Sequence, residues 1–202
     1  MERCDLKDYL RADLYRYGGE KATCYFMKAL SKSLPAFRYT YFLRHASVFP
    51  KYSFRGFFYR VLLNHYSYKY GFQIPPNTKI GKGLYIGHRG PVVINGRAEL
   101  GDNCTLAHVV NIGQTNRGER KGCPKIGNKV WIGVGAVIVG KIIIGDNVLI
   151  APNSYVNFDV PSNSIVMGNP ASIKQRVNAT EGYVNYAFTD TDIEALLDSE
   201  LP

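Results

Sequence analysis

Residues 126–156 read IGNKVWIGVGAVIVGKIIIGDNVLIAPNSYV, with Ile126, Ile132, Ile138, Ile144, Ile150 and Val156 spaced by six. The same step runs upstream through Ile74, Ile80 and Ile86, and again through Ile94, Leu100, Leu106 and Ile112. Gly directly follows seven of these 13 anchors. The fourth residue after an anchor is often small or β-branched, as at Thr78, Ala98, Cys104, Val110, Val130, Ala136, Val148, Ser154 and Val160. A step of six matches neither the helical period nor the two-residue alternation of a half-buried strand. It predicts a solenoid, in which each anchor is one inward knob on a short strand. A Gly beside the knob relieves a tight corner. One coil cannot bury its own knobs, so stacked coils bury them jointly at roughly 4.8 Å per layer.

The period breaks twice. Ile86 to Ile94 is a step of eight, and Ile112 to Ile126 a step of 14. The first break holds Gly87-His88-Arg89-Gly90, and the second runs from Gln114 through Asn116, Arg117, Arg120 and Lys121 to Pro124. A solenoid tolerates insertions where they leave its corners, and such loops gather on the functional face. Leu106-Ala107-His108 repeats Ile86-Gly87-His88 one coil later, so the two imidazoles are expected to stack on one face. An imidazole near neutral pKa can take a proton from a weakly nucleophilic hydroxyl, and a lone His at a corner equally fits a solvated or hydrogen-bonding residue.

Outward from the repeats, three segments are expected: a helical region over 1–71, the solenoid over 72–177 and an acidic tail over 178–202. Helices are predicted over 4–17, 20–33, from Pro35 to before Pro50, and over about 54–69 with Gly71 as the stop. A short helix over 191–199 or a loose tail closes the chain.

The net charge of +9 is uneven. Residues 1–71 carry 13 Lys/Arg against five Asp/Glu, residues 72–177 carry 12 against five, and residues 178–202 carry none against six. No recognition helix, zinc-finger spacing or RNA-binding aromatic motif accompanies the cations, which argues against nucleic acid. A phosphorylated ligand or an anionic membrane surface suits them. Eighteen of the 25 Phe and Tyr lie in 1–71. The patch Phe54, Phe57, Phe58 and Tyr59 with Arg55 and Arg60 fits peripheral membrane contact; it equally fits rings packed over the open end of the solenoid. The four cysteines show no paired spacing, the start MERCDLKDYL lacks the apolar core of a signal peptide, and no run is long enough to span a bilayer, so a cytoplasmic protein is expected.

The segments TKIGKGLYIGH, PKIGNKVWIGVGA and VPSNSIVMGNPASI resemble the hexapeptide-repeat acyltransferases, and within them the serine acetyltransferases and related sugar O-acetyltransferases. The resemblance covers about 72–176. It implies a left-handed parallel β-helix, a homotrimer, and acetyl-CoA in the groove between neighbouring subunits, with no metal. It makes His88 the catalytic base. It assigns the strip Gly133, Val134, Gly135 and the small Ala151 to the pantetheine arm, and Lys174 after the GNPA turn to a CoA phosphate.

The departures from serine acetyltransferases are specific. Their Asp before the catalytic His is here Gly87, a second Asp early in the first coil is here Gln73, and an Arg-His pair before PKI is here Gly122-Cys123. A site that has lost its ionic partners should bind a zwitterion poorly. With Gln73, His108, Gln114, Asn116 and Arg117 as acceptor-binding groups, the expectation is O-acetylation of a saccharide hydroxyl in surface polysaccharide assembly. Serine O-acetylation is the alternative, and a non-catalytic scaffold a second alternative.

Overall fold

The structure is a computed structural model that describes residues 5–19, 25–31 and 33–189. Four helices come first: α1 (Leu6–Tyr15), α2 (Tyr25–Leu30), α3 (Pro35–Val48) and α4 (Phe54–Tyr70). Pro35 sits in the first turn of α3, where a missing N–H costs nothing. Ser53 caps α4 by accepting from the Gly56 N–H at 3.0 Å, and Gly71 ends it at φ 82°, a left-handed stop that a side chain resists. The predicted helix over 191–199 lies outside the described residues.

From Phe72 the chain winds into a parallel solenoid of about five turns with three sheets. Sheet one stacks Phe72–Gln73, Val92–Ile94, Val110–Gly113, Val137–Val139 and Tyr155–Val156. Sheet two stacks Lys79–Ile80, Glu99–Leu100, Lys125–Ile126 and Ile143–Ile144. Sheet three stacks Tyr85–Ile86, Thr105–Leu106, Trp131–Ile132, Val148–Ile150 and Ser164–Gly168, and ends in the antiparallel strand Ala171–Gln175. Register follows the hexads: Ile94 pairs with Ile112 and that with Ile138, Leu100 with Ile126, and Ile86 with Leu106 and that with Ile132.

The anchors are the core. Ile86, Leu106, Ile112, Ile132, Ile138, Ile150 and Val156 are fully buried, and so are the small residues four positions on, among them Cys104, Val130, Ala136 and Val148. Burial pushes the Cys104 thiol up to about 12, so it behaves as a small apolar side chain. At the corner between sheets two and three a polar ladder replaces apolar packing. Asp102, Asn128, Asp146 and Ser162 each accept from a backbone N–H of the preceding coil, at 2.6–2.9 Å.

The helical region is fixed to the first coil by charge as well as by rings. Buried Asp13 and Arg44 pair through two hydrogen bonds of 2.9 and 3.0 Å. Arg44 also donates to the carbonyls of Ile80 and Gly81, and Asp13 accepts from the Leu84 N–H at 2.9 Å. Every side-chain nitrogen and oxygen of Asp13 and Arg44 has a partner, which is the condition for a tolerable buried ion pair.

The segment after 177 carries six carboxylates, yet residues 177–189 dock on sheet three. The Asn147 side chain binds Val177 and Thr180, Tyr183 packs on Trp131 with ring centroids 4.8 Å apart, and Asn103 exchanges two hydrogen bonds of 2.8 Å with the Phe188 backbone. Phe188 then meets Tyr15 of α1. The C-terminal segment thus runs back along the solenoid toward the helices.

Candidate active site

Sheet three passes to sheet one at a vertex where His88, His108, Val134 and Pro152 occupy one position in successive coils, each two residues beyond a stacked anchor. The rings of His88 and His108 meet edge to face with centroids 5.6 Å apart. The two-residue insertion shifts the sequence spacing from one coil to 20 residues, and the stack predicted from it is present. His88 is exposed and His108 half-buried, with the His108 Nδ1 enclosed and lacking a hydrogen-bond partner.

His88 and Arg89 line a cleft of about 760 Å³ on sheet three. Its floor is Tyr85, Thr105, Ala107, Trp131 and Val134. One wall comes from the end of α1 and the start of α3, and the other from Tyr183, Asn185 and Tyr186. Among the described residues lining it there is no carboxylate. Arg16 braces this cleft from below, donating to Gly83 O at 2.9 Å, Thr105 Oγ1 at 2.8 Å and Asn185 O at 2.9 Å. Burial holds its guanidinium below the ordinary range, and the electron-rich Cys104, Tyr17 and Asp13 oppose that shift. Burial also raises the Tyr17 phenol, whose oxygen accepts from the Ile86 N–H, so it stays protonated. The imidazoles of His88 and His108 are the side chains at this vertex that can both accept and donate a proton.

Gly133, Val134, Gly135 and Ala151 sit on the same vertex, two and three coils beyond His88. Val134 lines the cleft. The two glycines have a local cause. A Cβ on Gly133 would lie 2.7 Å from Pro152 N, and Gly135 has φ +71°. Coil packing alone demands Gly at both, so these glycines are not independent evidence for a ligand. Gly87 is different: a Cβ there meets only Tyr85 Cε1 at 3.6 Å and Leu106 O at 3.9 Å, ordinary contact with no positive φ.

The remaining predicted residues lie elsewhere on the chain. Lys174 is exposed in the last strand of sheet three, five strands from Tyr85, about 24 Å at the usual strand spacing. Gln73 is on sheet one and lines a different cleft with Arg60, Asn64 and Tyr68. Gln114, Asn116 and Arg117 are at the vertex between sheets one and two, on a small hairpin closed by two Thr115–Gly122 hydrogen bonds of 3.0 Å. Gln114 accepts from Arg97 and donates to Asn116 at 2.7 Å, so its amide is engaged within the hairpin. Within one chain this hairpin and His88 are on separate vertices. Sequence reasoning missed Arg16, Arg89 and the wall formed by Tyr183–Tyr186. The rings at 183, 186 and 188, set in an otherwise polar segment, were the available signal. Among the described residues no three His, Cys, Asp or Glu side chains converge as a metal site.

Three comparisons bear on what such a vertex does. A family model for bacterial transferase hexapeptide (six repeats) matches residues 123–157. A serine acetyltransferase of Helicobacter pylori is 42% identical over 101 residues, covering 50% of this chain and 59% of that protein. The chain thus spans little more than half the length of that curated relative. Among solved structures, serine acetyltransferase from Brucella abortus in complex with coenzyme A superposes with a TM-score of 0.72 and 30% identity, over 88% of this chain and 71% of that one. Soybean serine acetyltransferase complexed with serine gives 0.70 and 30%, over 85% and 70%. These relatives overturn the saccharide acceptor and the surface-polysaccharide setting expected from the sequence. The uncharged amides that suggested a sugar are spent on each other and on Arg97, and the named relatives match the serine alternative.

Proposed function

Since this chain belongs to the hexapeptide-repeat acyltransferase family, we propose that it transfers the acetyl group of acetyl-CoA to the hydroxyl of L-serine. The observation that carries the proposal is the vertex on which His88 and His108 stack in line with Val134, with Ala151 beside that line one coil further on. That vertex belongs to a chain whose solved relatives include one crystallised with serine and one with coenzyme A.

In this reading His88 accepts the proton of the serine hydroxyl as its oxygen attacks the thioester carbonyl. Backbone N–H groups stabilise the tetrahedral oxyanion. As the carbon–sulfur bond breaks, His88 returns the proton to the leaving sulfur, giving O-acetylserine and free CoA. His108 packs on the His88 ring and faces the acceptor. Val134, flanked by Gly133 and Gly135, and Ala151 accommodate the pantetheine arm, and Lys174 meets a phosphate at the far end of the same sheet. Arg89, beside His88 and uncompensated by a carboxylate in the cleft, suits the serine carboxylate.

A homotrimer belongs to the same proposal. Gln73 and the hairpin with Gln114, Asn116 and Arg117 reach the acceptor when they border the His88 vertex of a neighbouring protomer. A cytoplasmic setting accords with free serine and acetyl-CoA as substrates. The test is release of the CoA thiol with L-serine and identification of the product by mass. Turnover that depends on serine, with one acetyl group gained in an alkali-labile ester, is expected. No serine-dependent thiol release would refute the proposal.

A further inference from the structure

The outer face of α4 is the feature of this chain that acetyl transfer leaves unexplained. The helix is aromatic on both sides. Its inner face carries Gly56, Tyr59, Leu63, Tyr66 and Tyr70, packed on α3 and the first coil; Tyr66 stacks on Phe42, and Tyr59 on Phe49 and His45. Its outer face carries Phe54, Phe57, Phe58, Val61 and Tyr68, positions that the helical period sets within one stripe. These are exposed by 87, 66, 51, 50 and 84%, and Tyr52, just before the helix, by 93%. The sequence-based patch is thus divided. Tyr59 turns inward, and Arg60 donates to Phe49 O at 3.0 Å and to Gly56 O, while Phe54, Phe57, Phe58 and Arg55 face out. Phe54, Phe57, Phe58 and Val61 form a cluster of large apolar side chains outward from a folded helix, with exposed His65 between them and Tyr68, and such a cluster marks a docking surface.

Charge selects the occupant. Between Glu20 and Glu99 the sequence holds no Asp or Glu at all, while 13 Lys and Arg fall in that span. Lys51, Arg55 and Lys69 are exposed along the border of the stripe. A second copy presenting the same face would set these cations against one another with no carboxylate between them, which opposes pairing of two such faces. A protein partner needs fixed carboxylates at matched positions, whereas a fluid anionic bilayer supplies negative charge wherever a cation lies. Rings on one face with lysine and arginine beside them are the make-up of an interfacial helix lying in the headgroup region. No described helix is long and apolar enough to cross a membrane, so contact of this kind is peripheral.

We propose that the outer face of α4 docks this protein onto the surface of an anionic lipid bilayer, with Phe54, Phe57, Phe58 and Val61 at the acyl boundary and Lys51, Arg55 and Lys69 on the headgroups. The experiment is co-sedimentation of the full chain with phosphatidylcholine vesicles, with and without phosphatidylglycerol. Binding is expected to the anionic vesicles and to weaken with salt. It is expected to fall about tenfold in a Phe57→Ser/Phe58→Ser variant that keeps serine acetyl transfer and the oligomeric state of the native chain. A Phe57→Trp variant guards against misfolding of the double variant, and its fluorescence should be quenched by brominated lipid while Trp131, packed on Tyr183 in the cleft away from α4, is not. Absence of binding, equal binding to neutral vesicles, or binding untouched by the double substitution overturns the proposal. So does an assembly larger than the catalytic oligomer that dissociates on that substitution, because the stripe would then be an interface between copies.

Discussion

The imidazole of His108 meets that of His88 edge to face, 5.6 Å between centroids, one coil along the same vertex. Edge-to-face ring pairs contribute about 0.5–1.5 kcal/mol beyond the area they bury. His108 therefore limits the orientations open to His88, while its Nε2, unlike the enclosed Nδ1, remains for the acceptor.

This separates two substitutions at 108. His108→Phe keeps the ring contact and loses the nitrogens, so the serine KM should rise with kcat nearly unchanged. His108→Ala loses both, and kcat should fall as well, by about tenfold. Steady-state kinetics on the two variants reads the difference; equal effects on kcat would remove the positioning role.

Gly87 offers a gain-of-function test. Ordinary van der Waals space surrounds a Cβ at this position, and the backbone does not require Gly. Gly87→Asp supplies the carboxylate found before the catalytic His in the serine acetyltransferases that the repeats resemble. A charge-assisted hydrogen bond contributes about 1.5–3 kcal/mol. The kcat/KM for serine should accordingly rise by about tenfold or more. An unchanged value would mean that serine is held entirely by other groups.

The Asp13–Arg44 pair is expected to dominate attachment of the helices to the first coil. Asp13→Asn leaves a buried guanidinium short of its counter-charge, which costs about 3–5 kcal/mol. Urea unfolding should show that loss, and Asp13→Leu with Arg44→Met should recover part of it. A loss below about 1 kcal/mol in Asp13→Asn would contradict the buried-pair reading.

Acid should loosen the same region through His45. This ring lies between Tyr41 and Tyr59, donates from Nδ1 to Tyr41 O, and has its pKa lowered, chiefly by burial, with the Tyr41 hydrogen bond opposing. A lowered folded pKa means that the unfolded chain binds the proton first as pH falls. The stability contribution is whole above the ordinary histidine value of about 6.5 and declines as pH drops from there toward the folded pKa. The urea midpoint should fall between about pH 7 and about pH 5, and His45→Phe should flatten that slope. The same slope in the variant would assign the acid sensitivity to other groups.

What was legible from sequence followed from period and spacing. Ile126 through Val156 give the coil without long-range information, because each hexad repeats the same local choice. The two breaks give the vertices, and His88 with His108 gives the stack, since the 20-residue separation is one coil plus the two-residue insertion. Long-range polar choices were not legible. Nothing local distinguishes buried Arg16 and Arg44 from Arg55, which faces solvent. The acidic composition after 177 concealed a docked segment whose signal was three rings rather than its charge. The acceptor was misread because the missing ionic partners at Gly87, Gln73 and Gly122-Cys123 were read as excluding a zwitterion, and because Gln114 and Asn116 were judged by side-chain type; their engagement with each other and with Arg97 is visible only once the hairpin is folded.

The central claim is that the His88 imidazole carries the proton in acetyl transfer to serine. Single-turnover thiol release from acetyl-CoA with L-serine, wild type against His88→Asn, tests it most directly. Loss of a general base predicts a fall of about 10²–10⁴-fold with fold and oligomeric state retained. A His88→Asn enzyme that releases thiol at the wild-type rate would contradict the account.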